Sequence, residues 1–557
     1  MISRMPDLWP VLLLASALTA QPVVTWAQET MRLRSASVTA NGAAFDLALV
    51  VENDNADASL PASYRRWWHC EIRNLRPAGE TLHVAVQNAG YSDLILPVWA
   101  GSTDGTSFAA YARAPLSAVP TYTGGVHRFT LQTPPGAVAI RLAKFFPYPV
   151  ARRDAWLATL NGDPRVRAIT NLGTTALGRS LPLVEISDPA VPDAGKRRVW
   201  VHAGIHPAET TSYLVVEGLV AELLSRQPAM DLLLGRTILD VVPMANPDGV
   251  ARGNYRTNSG SVNLEEQWAA PYTSTAPEIV ALRTRIEGRM GSATAPGLNP
   301  IEVLLNLHAS HDVAYPFHFQ HVANPGFDLQ SSRSGVIPAV NALEGAWITR
   351  AKARSPFLAR GTTQSSTMGA PARPFVEAML HDRWSIDPLW LRAKVMAITL
   401  EGTYGKGPDQ NSWCTEADYR ALGRGLAWAL LDHFSLLPGG VAASSGTPCG
   451  GPLLSAGFAN AYGRLDLAVQ QAPISPFGIF VFGTTAQTLP LPPTLCPLRT
   501  DVAIGLPAAI DAAGRAGLQL PLPVLPALAA QVQCVVLDAQ AQGLFATSNL
   551  LRVVVAR

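Results

Sequence analysis

The chain has 557 residues, of which 15% are charged and 48% are hydrophobic, so it is long enough for several domains and too apolar for a disordered protein. Lysine and arginine number 43 against 41 aspartate and glutamate, a formal net charge of +2. Nucleic-acid binding needs clustered basic residues, and the longest basic run is Lys196-Arg197-Arg198. The composition therefore argues against nucleic acid as a partner.

The N-terminus has the pattern of a secretory signal. Arg4 precedes an apolar stretch over residues 8–20, and the small residues Thr25 and Ala27 follow. A cleaved signal has an apolar core of about 7–15 residues, whereas a spanning helix needs about 20. We predict a signal peptide over residues 1–27, cleaved near Ala20 or Ala27, with no membrane-spanning segment after it. The mature protein is then expected to be secreted or periplasmic.

The five cysteines are too few for a disulfide-built scaffold in a chain of this length, but export permits disulfides. Cys496 could pair with Cys534, and Cys414 could pair with Cys449. Cys70, beside two tryptophans, is interpreted as a buried thiol. No Cys-x-x-Cys spacing occurs among them, which argues against a cysteine-based zinc site.

Three regions follow the signal peptide. Residues 28–145 contain short alternating stretches separated by turn residues, which predicts an N-terminal β-sandwich. Residues 146–436 alternate predicted strands (199–203, 238–242, 303–307 and 395–400) with predicted helices (209–225 and 416–434), which predicts an α/β sheet covered by helices. Residues 437–557 are rich in Ala, Pro, Gly and Leu and predict a C-terminal β module, either a structural cap or a surface-binding or sorting accessory.

One constellation in the middle region could hold a metal ion. The run His206-Pro207-Ala208-Glu209 follows one predicted strand and opens a predicted helix, so an imidazole and a carboxylate three residues apart can converge on one ion. His308 ends a second predicted strand and is a candidate third ligand. Two histidines and one glutamate leave a fourth position open for water, which is typical of a catalytic zinc site.

Four segments follow one another along the middle region. They are His206-Pro207-Ala208-Glu209, Asn246-Pro247-Asp248-Gly249-Val250 with Arg256 downstream, Asn306-Leu307-His308-Ala309-Ser310, and Thr399-Leu400-Glu401. In this order they resemble the motifs of the M14 family of zinc carboxypeptidases. Segments further upstream are similar to the cytosolic-carboxypeptidase branch, whose members carry an N-terminal sandwich. They are Trp67-Trp68-His69-Cys70-Glu71-Ile72, Pro147-Tyr148-Pro149 and Gly178-Arg179-Ser180-Leu181-Pro182-Leu183. The resemblance implies a mixed α/β sheet covered by helices; the C-terminal module lies outside it.

The resemblance also implies a mechanism. One zinc ion per chain would be held by His206, Glu209 and His308, and would lower the pKa of its bound water toward about 7. Glu401 would take the proton from that water and return it to the leaving amine. Arg256 would stabilise the oxyanion.

Four residues near these motifs have alternative interpretations. His311, three residues beyond His308, is a second candidate for the third ligand, although the family pattern favours His308. Asp248 sits in a Pro-Asp-Gly turn, where aspartate commonly bonds its own backbone, so we interpret it as a turn residue. Trp268 and Tyr404 either line the pocket or belong to the core.

The sequence departs from the family pattern at one place. Typical members carry Asp-Leu-Asn-Arg, whose Asn-Arg pair binds the terminal carboxylate of the substrate; here the run is Asn263-Leu264-Glu265-Glu266. A glutamate offers only acceptors and a like charge, whereas an arginine donates two parallel hydrogen bonds to a carboxylate. Either another cation has taken this role (Arg252, Arg373 or Lys406), or Glu265 and Glu266 bind an amine, a basic side chain or a blocked end.

We therefore predict a secreted zinc-dependent metallocarboxypeptidase-like hydrolase that cleaves peptide or amide bonds. One alternative is an amide hydrolase that acts on a non-peptide, blocked or basic-ended substrate. The other is a catalytically inactive binding module. The sequence keeps His206, Glu209, His308 and Glu401. This argues against the inactive module, because a homologue without catalytic activity has no chemical need to keep all four.

Overall fold

The computed structural model describes residues 21–116, 119–310, 315–329, 333–436, 439–459, 464–473, 475, 477–491, 496–521, 528–537 and 545–556. Most of the predicted signal peptide, residues 1–20, lies outside these described residues. A strand-rich N-terminal region, a central α/β region and a strand-rich C-terminal region follow one another along the chain. Within the described ranges, no helix is both long enough and apolar enough to cross a membrane.

The N-terminal region forms two five-stranded sheets with a shared core. Its strands are β1 (Val23–Thr25), β2 (Ser35–Asn41), β3 (Ala44–Val50), β4 (His69–Arg73), β5 (Thr81–Gln87), β6 (Val98–Ser102), β7 (Ala112–Arg113), β8 (Thr121–Thr123), β9 (Val126–Gln132) and β10 (Ala139–Ala143). The sheet orders are β1-β4-β10-β6-β7 and β2-β3-β5-β9-β8. Every second residue of β3 and β5 is buried, as expected when one face of a strand packs on a core. Leu47 of one sheet and Ile140 of the other belong to the same core, which makes this region a β-sandwich.

Strand β1 lies inside the segment that the sequence assigns to the signal peptide. It pairs antiparallel with β4, with Val24 opposite Ile72, and Trp26 packs against the sandwich core. Cleavage near Ala27 would remove this strand and the tryptophan. Cleavage near Ala20 would leave both in place.

The central region contains eight strands and nine α-helices in the described part of the chain. The strands are β11 (Val166–Thr174), β12 (Ser180–Ile186), β13 (Arg197–Ala203), β14 (Thr237–Val242), β15 (Ile301–Ser310), β16 (Phe317–His321), β17 (Thr362–Ser366) and β18 (Met396–Thr403). The helices are α1 (Val150–Thr159), α2 (Thr211–Leu223), α3 (Pro228–Arg236), α4 (Pro247–Ala251), α5 (Pro277–Met290), α6 (Pro338–Arg354), α7 (Pro356–Ala359), α8 (Val376–Leu380) and α9 (Glu416–His433).

These strands form one mixed sheet with the order β11-β12-β14-β13-β15-β18-β16-β17. The middle strands β14, β13, β15 and β18 run parallel to one another. Side chains alternate between two cores: Val199 packs with α2 and α9 on one face, whereas Trp200 packs with α5 on the other. The predicted mixed α/β sheet covered by helices is confirmed, and this burial on both faces explains its continuous apolar strands.

The C-terminal region is built from strands. They are β19 (Gly439–Ser445), β20 (Leu453–Ala459), β21 (Arg464–Gln470), β22 (Phe477–Gly483), β23 (Ala486–Leu491), β24 (Cys496–Thr500), β25 (Ile504–Ala509), β26 (Ala516–Pro521), β27 (Leu528–Leu537), β28 (Phe545–Thr547) and β29 (Leu550–Ala556). One sheet has the order β19-β29-β27-β22-β25, with β28 pairing with β27, and β20-β21-β26 form a second. Leu467 and Val532 lie in their common core.

Both disulfide pairings suggested by the sequence are wrong. The structure joins Cys449 to Cys496, with Cα atoms 5.6 Å apart. Cys414 and Cys534 are free and buried, and so is Cys70, as predicted. Cys414 lies in the core of the α/β region and Cys534 on β27 inside the C-terminal core, and the suggested partner of each is already used in the Cys449–Cys496 bond.

Candidate metal centre and active site

Three neighbouring parallel strands bring the candidate residues to one edge of the sheet. His206 follows β13, His308 lies near the end of β15, and Glu401 lies near the end of β18. His308 and Glu401 are directly opposite each other in the β15–β18 register. Since parallel strands present their carboxyl ends at the same edge, residues about 200 positions apart in sequence meet there.

A tight turn after β13 positions His206 and Glu209. Gly204 has a φ of +73°, and a Cβ at this position would lie 2.2 Å from the ring of Tyr213. The turn therefore requires glycine, both for its backbone conformation and for space. The backbone N–H of Glu209 donates to the carbonyl of His206 at 3.2 Å, and α2 begins two residues later at Thr211. His206 and Glu209 thus lie in the turn before the helix rather than in its first turn.

The side chains of His206, Glu209 and His308 converge on one point. His206 Nδ1 lies 2.9 Å from Glu209 Oε1, and His308 Nδ1 lies 2.8 Å from Glu209 Oε2. The two Nδ1 atoms are 3.1 Å apart, and the candidate ligand atoms all lie within 4.8 Å of one another. Each of the three residues is at most 4% exposed. Two imidazole nitrogens and a carboxylate that face one another in this way fit a zinc ion.

The outward-facing nitrogens of both histidines have acceptors of their own. His206 Nε2 lies 3.1 Å from Asn263 Oδ1, and His308 Nε2 lies 3.3 Å from Glu265 Oε2. An acceptor at Nε2 keeps the proton there and leaves Nδ1 free to bind a metal, which is the usual second layer of a histidine metal site. The structure therefore places Glu265, predicted as a substrate-binding residue, against a candidate ligand.

The charges of this cluster favour an ionised Glu209. Burial raises the pKa of Glu209, but the charges and hydrogen bonds of His206 and His308 outweigh burial and hold this pKa well below its usual range. An ionised carboxylate is the form that binds a metal ion.

Glu401 and Arg256 line the same cavity as the three candidate ligands. Burial, followed by the negative charge of Glu209, raises the pKa of Glu401 to about 8. A carboxyl whose pKa lies near neutrality can both accept and return a proton. Arg256 follows α4, and the charge of Glu209 outweighs the effect of burial and raises the pKa of Arg256, so its guanidinium remains cationic.

The cavity has a volume of about 230 Å³ and continues beyond the candidate metal site. Glu265, Glu377 and Thr399 line this further part, together with Phe319 and Phe375. His321 also faces it and is paired with the buried Glu344, with 2.7 Å between His321 Nδ1 and Glu344 Oε1.

The sequence motifs do not mark several of the residues at this site. Asn263 stands out only as part of an altered motif, and Glu377 carries no pattern that marks it. Asn306 had a usable signal, because it lies two residues before His308 on the same strand and alternate residues share a face.

The structure does not bring Glu266 to the cavity. Glu265 is 7% exposed, whereas Glu266 is exposed and lines a separate surface groove with Gln267 and Pro271. A short 3₁₀ turn, Leu264–Glu266, turns the two neighbouring side chains in different directions.

The three alternative cations also lie elsewhere. Arg373 is buried and paired with Asp382 at 2.7 Å. Arg252 is exposed and donates to Asn55 Oδ1, and Lys406 lies over the ring of Trp413. Of the lysines and arginines in the described part of the chain, Arg256 alone lines this cavity.

The structure shows the surroundings of three of the four residues that had alternative interpretations. Asp248 is buried and accepts hydrogen bonds from Thr175 Oγ1, the N–H of Leu177 and the guanidinium of Arg179, so it holds neighbouring segments together. Trp268 and Tyr404 are buried in the two cores of the α/β region. His311, the alternative third ligand, lies outside the described residues.

Comparisons with known proteins relate part of the chain to zinc carboxypeptidases. Residues 154–344 match the family model Peptidase_M14, described as zinc carboxypeptidase. Human cytosolic carboxypeptidase 6 is 22% identical over 387 residues, which cover 67% of this chain and 72% of that protein. An uncharacterised protein of Zymomonas mobilis is 27% identical over 228 residues, or 41% of this chain and 56% of the relative, so the chain spans about half the length of that protein.

A solved structure shows the same fold. The metallo-carboxypeptidase from Burkholderia cenocepacia superposes with a TM-score of 0.58 over 74% of this chain and 99% of that one, at 23% sequence identity. At this level of identity the likeness establishes the fold alone.

Proposed function

The chain belongs to the M14 family of zinc carboxypeptidases, and we propose that it is an exported zinc-dependent metallocarboxypeptidase-like hydrolase. The whole protein would cleave a peptide or amide bond at the edge of the central sheet. One observation carries this proposal: His206, Glu209 and His308 converge beside Glu401 and Arg256 in a single cavity.

The donor set supports one zinc ion per chain. His206 and His308 would each contribute Nδ1, and Glu209 would contribute its carboxylate. With three protein ligands, the site keeps a position open for water, as catalytic zinc sites do. Zinc bound here supplies a Lewis acid that polarises the scissile carbonyl and acidifies water.

The chain's own residues would perform the remaining steps. Glu401 accepts a proton from the attacking water and delivers it to the nitrogen of the leaving amine, so the proton is returned within one turnover. The guanidinium of Arg256 stabilises the negative charge that develops on the carbonyl oxygen. Asn263 holds the ring of His206 by accepting from its Nε2–H, and thereby orients that ligand.

A second candidate function is favoured by the charges of the cavity. Glu265 and Glu377 line it, and Arg256, beside the candidate metal site, is the one basic side chain of lysine or arginine type among the described lining residues. A free terminal carboxylate would meet like charge beyond the metal site. An amide hydrolase acting on a blocked, basic-ended or non-peptide substrate fits these charges.

Export is supported by the N-terminal sequence pattern and by the disulfide. The apolar stretch over residues 8–20 follows Arg4, and disulfides such as Cys449–Cys496 persist in oxidising compartments. Because β1 pairs with β4, we propose cleavage near Ala20. Mass spectrometry of protein recovered from the periplasm or medium of an expression host should show an N-terminus close to residue 21; intact protein retained in the cytoplasm would contradict export.

The proposed activity is tested with zinc analysis and a peptide library. The purified mature protein should contain about one zinc per chain, and a chelator should abolish hydrolysis that added zinc restores. The products of a mixed peptide library, identified by mass spectrometry, define which bond is cut. Bound zinc with no hydrolysis of any amide would favour the inactive binding module, and absence of zinc binding would contradict the proposal.

A further inference from the structure

Two carboxylates in the cavity are neither candidate metal ligands nor proton carriers. Glu209 belongs to the candidate metal site and Glu401 to proton transfer, whereas Glu265 and Glu377 have neither role; Glu265 contacts the site through its Oε2, which lies 3.3 Å from His308 Nε2. Glu265 and Glu377 are 7% and 2% exposed, respectively, and both line the cavity. Buried carboxylates are rare unless they are paired, because removing their charge from water is costly.

The two carboxylates share the same few donors. Asn306 Nδ2 lies 3.1 Å from Glu265 Oε1 and 3.3 Å from Glu377 Oε1. The hydroxyl of Thr399 donates to Glu377 Oε1 at 2.5 Å, and Asn306 Nδ2 also donates to Thr399 Oγ1 at 3.2 Å. One amide, one hydroxyl and the Nε2–H of His308 supply four hydrogens, whereas the two carboxylates offer about eight acceptor sites. The cluster therefore has many more acceptors than donors.

The cluster lies two residues before the reacting groups on the same two strands. Asn306 and Thr399 are directly opposite each other in the β15–β18 register, as are His308 and Glu401 two residues further on. Residues two apart on a strand share a face and are separated by about 6.6 Å. A lysine or arginine side chain next to a bond that is cleaved at His308 and Glu401 is therefore long enough to reach the cluster at Asn306 and Thr399.

The cavity also has apolar walls that suit a long cationic side chain. Phe319 and Phe375 line the cavity, and apolar rings pack well against the methylene groups of a long cationic side chain. Burial and the charge of Glu265 raise the pKa of Glu377, which is the effect of two carboxylates that face each other. A cation between them would relieve this repulsion.

We propose that Glu265 and Glu377 bind the cationic side chain of the residue released by cleavage, an ammonium or guanidinium group. The inference rests on the proposed function and names its substrate class: peptides or amides that end in a lysine-like or arginine-like residue. Three ammonium donors, or five guanidinium donors, match the excess of acceptors. Asn306 and Thr399 hold the two carboxylates in place for this contact.

The test uses substrates that differ only in the charge of the last residue. A blocked dipeptide series ending in lysine, arginine, norleucine or glutamate keeps the scissile bond constant, and norleucine retains the methylene chain of lysine without its ammonium. We expect kcat/KM for the lysine or arginine substrate to exceed that for norleucine by about 10²-fold or more, because the uncharged chain leaves the buried acceptors without donors. Equal rates for lysine and norleucine, or a preference for glutamate, would overturn the proposal.

Substitutions test whether Glu265 and Glu377 cause the preference for a cationic last residue. Glu377→Gln keeps the shape of the side chain, does not touch a candidate metal ligand, and should lower the lysine-to-norleucine ratio by about 10–100-fold while zinc content is unchanged. Glu266→Gln removes the same charge from the exposed neighbour of Glu265 and should leave the ratio unchanged. A ratio that follows Glu266 and ignores Glu377 would overturn the proposal.

A binding measurement separates this inference from the proposed activity. Calorimetry on zinc-loaded Glu401→Gln, which is designed to bind without turnover, should show tighter binding of the lysine-ended peptide than of the norleucine-ended one. If wild type hydrolyses nothing but this difference in binding persists, the activity proposal fails and the cationic pocket stands. If both peptides bind equally, the pocket proposal fails whatever the activity. Should Glu377→Gln not fold, Glu265→Gln serves in the same comparison, with zinc content measured alongside.

Discussion

The carboxylate of Asp54, in the N-terminal sandwich, accepts a hydrogen bond from the backbone N–H of Arg256 in the α/β region at 2.8 Å. It also accepts from the N–H groups of Tyr255 and Thr257, at 2.6 and 2.7 Å. Asp54 is 1% exposed. Because three consecutive N–H groups converge on one carboxylate, the sandwich fixes the backbone that carries the candidate oxyanion-stabilising side chain.

Asp54→Asn is therefore expected to impair catalysis from outside the cavity. The amide keeps one acceptor oxygen but turns an N–H toward the backbone donors, which costs about 1–3 kcal/mol of stability for each buried group left unpaired. Turnover should fall more than substrate binding, since Arg256 would be misplaced for the transition state while zinc content stays constant. Steady-state kinetics, zinc analysis and thermal unfolding measure the three effects.

Asp57→Asn is the matched control for this variant. Asp57 lies three residues further along the same segment and accepts from Ser59 in an exposed position. Its substitution should leave kcat unchanged. If Asp54→Asn lost stability but kept wild-type kcat, Asp54 would be a structural residue with no positioning role.

The candidate ligands are tested one at a time by measuring zinc. His206→Ala, Glu209→Ala and His308→Ala should each lose most of the bound metal, because three protein ligands are the minimum for such a site. Asn263→Ala leaves all three ligands and should weaken zinc affinity by about 10–100-fold, the usual effect of removing an outer partner. Competition with a chromogenic chelator gives the affinities. Full occupancy in His308→Ala would point to another ligand, such as His311.

The elements that carry this site could be predicted from sequence because their patterns are local. The predicted strand at 303–307 lies inside β15 (Ile301–Ser310), and the predicted helix at 416–434 matches α9 (Glu416–His433). Both patterns are set by residues that are close together in sequence: a continuous apolar run for the strand, and apolar residues at helical spacing for the helix. The order of the motifs then placed His206, His308 and Glu401 at strand ends.

The contacts between distant segments could not be predicted in this way. Asp54 lies about 200 residues before the N–H groups that it holds, and Glu377 meets Asn306 only through the folding of α8 against the sheet. Cys449 likewise finds Cys496 because the C-terminal sheets bring the two together, and no spacing in the sequence encodes that approach. Glu265 and Glu266 are equivalent in the sequence pattern, but the 3₁₀ turn directs only Glu265 into the cavity.

Glu401→Gln separates metal binding from proton transfer. The amide preserves the shape of the side chain but cannot accept the proton, so we expect the rate of hydrolysis to fall by about 10²–10⁴-fold. Zinc content and the unfolding temperature should remain those of wild type, because Glu401 lies beside the candidate ligands without belonging to them. An unchanged rate would remove Glu401 from the mechanism.

Arg256→Ala distinguishes transition-state stabilisation from substrate anchoring. If the guanidinium acts on the developing oxyanion, kcat should fall by about 10²–10³-fold with a smaller change in KM. Arg256→Lys keeps the charge but not the planar donor geometry and should recover only part of the loss. A variant with raised KM and unaltered kcat would instead identify Arg256 as a residue that binds the substrate in its ground state.

The Arg373–Asp382 pair predicts how stability depends on pH. Burial raises the pKa of Asp382, but hydrogen bonds from His381 and Arg373 outweigh burial and lower it below its usual value. A carboxyl with a lowered folded-state pKa adds stability above its unfolded pKa of about 3.9, and that stability is lost as pH falls through the folded value. Asp382→Asn should therefore destabilise the protein at pH 7 by about 3–5 kcal/mol, because it leaves the buried Arg373 without its counter-ion, and the deficit should shrink below pH 4. Asp511→Asn, which breaks an exposed pair with Arg515, should leave the free energy of unfolding close to that of wild type at each pH, because exposed ion pairs stabilise a fold little. Denaturant unfolding of the three proteins at pH 7, 5 and 3, followed by tryptophan fluorescence, makes the comparison; a deficit for Asp382→Asn that is constant across this range would show that the pair's charge does not stabilise the fold.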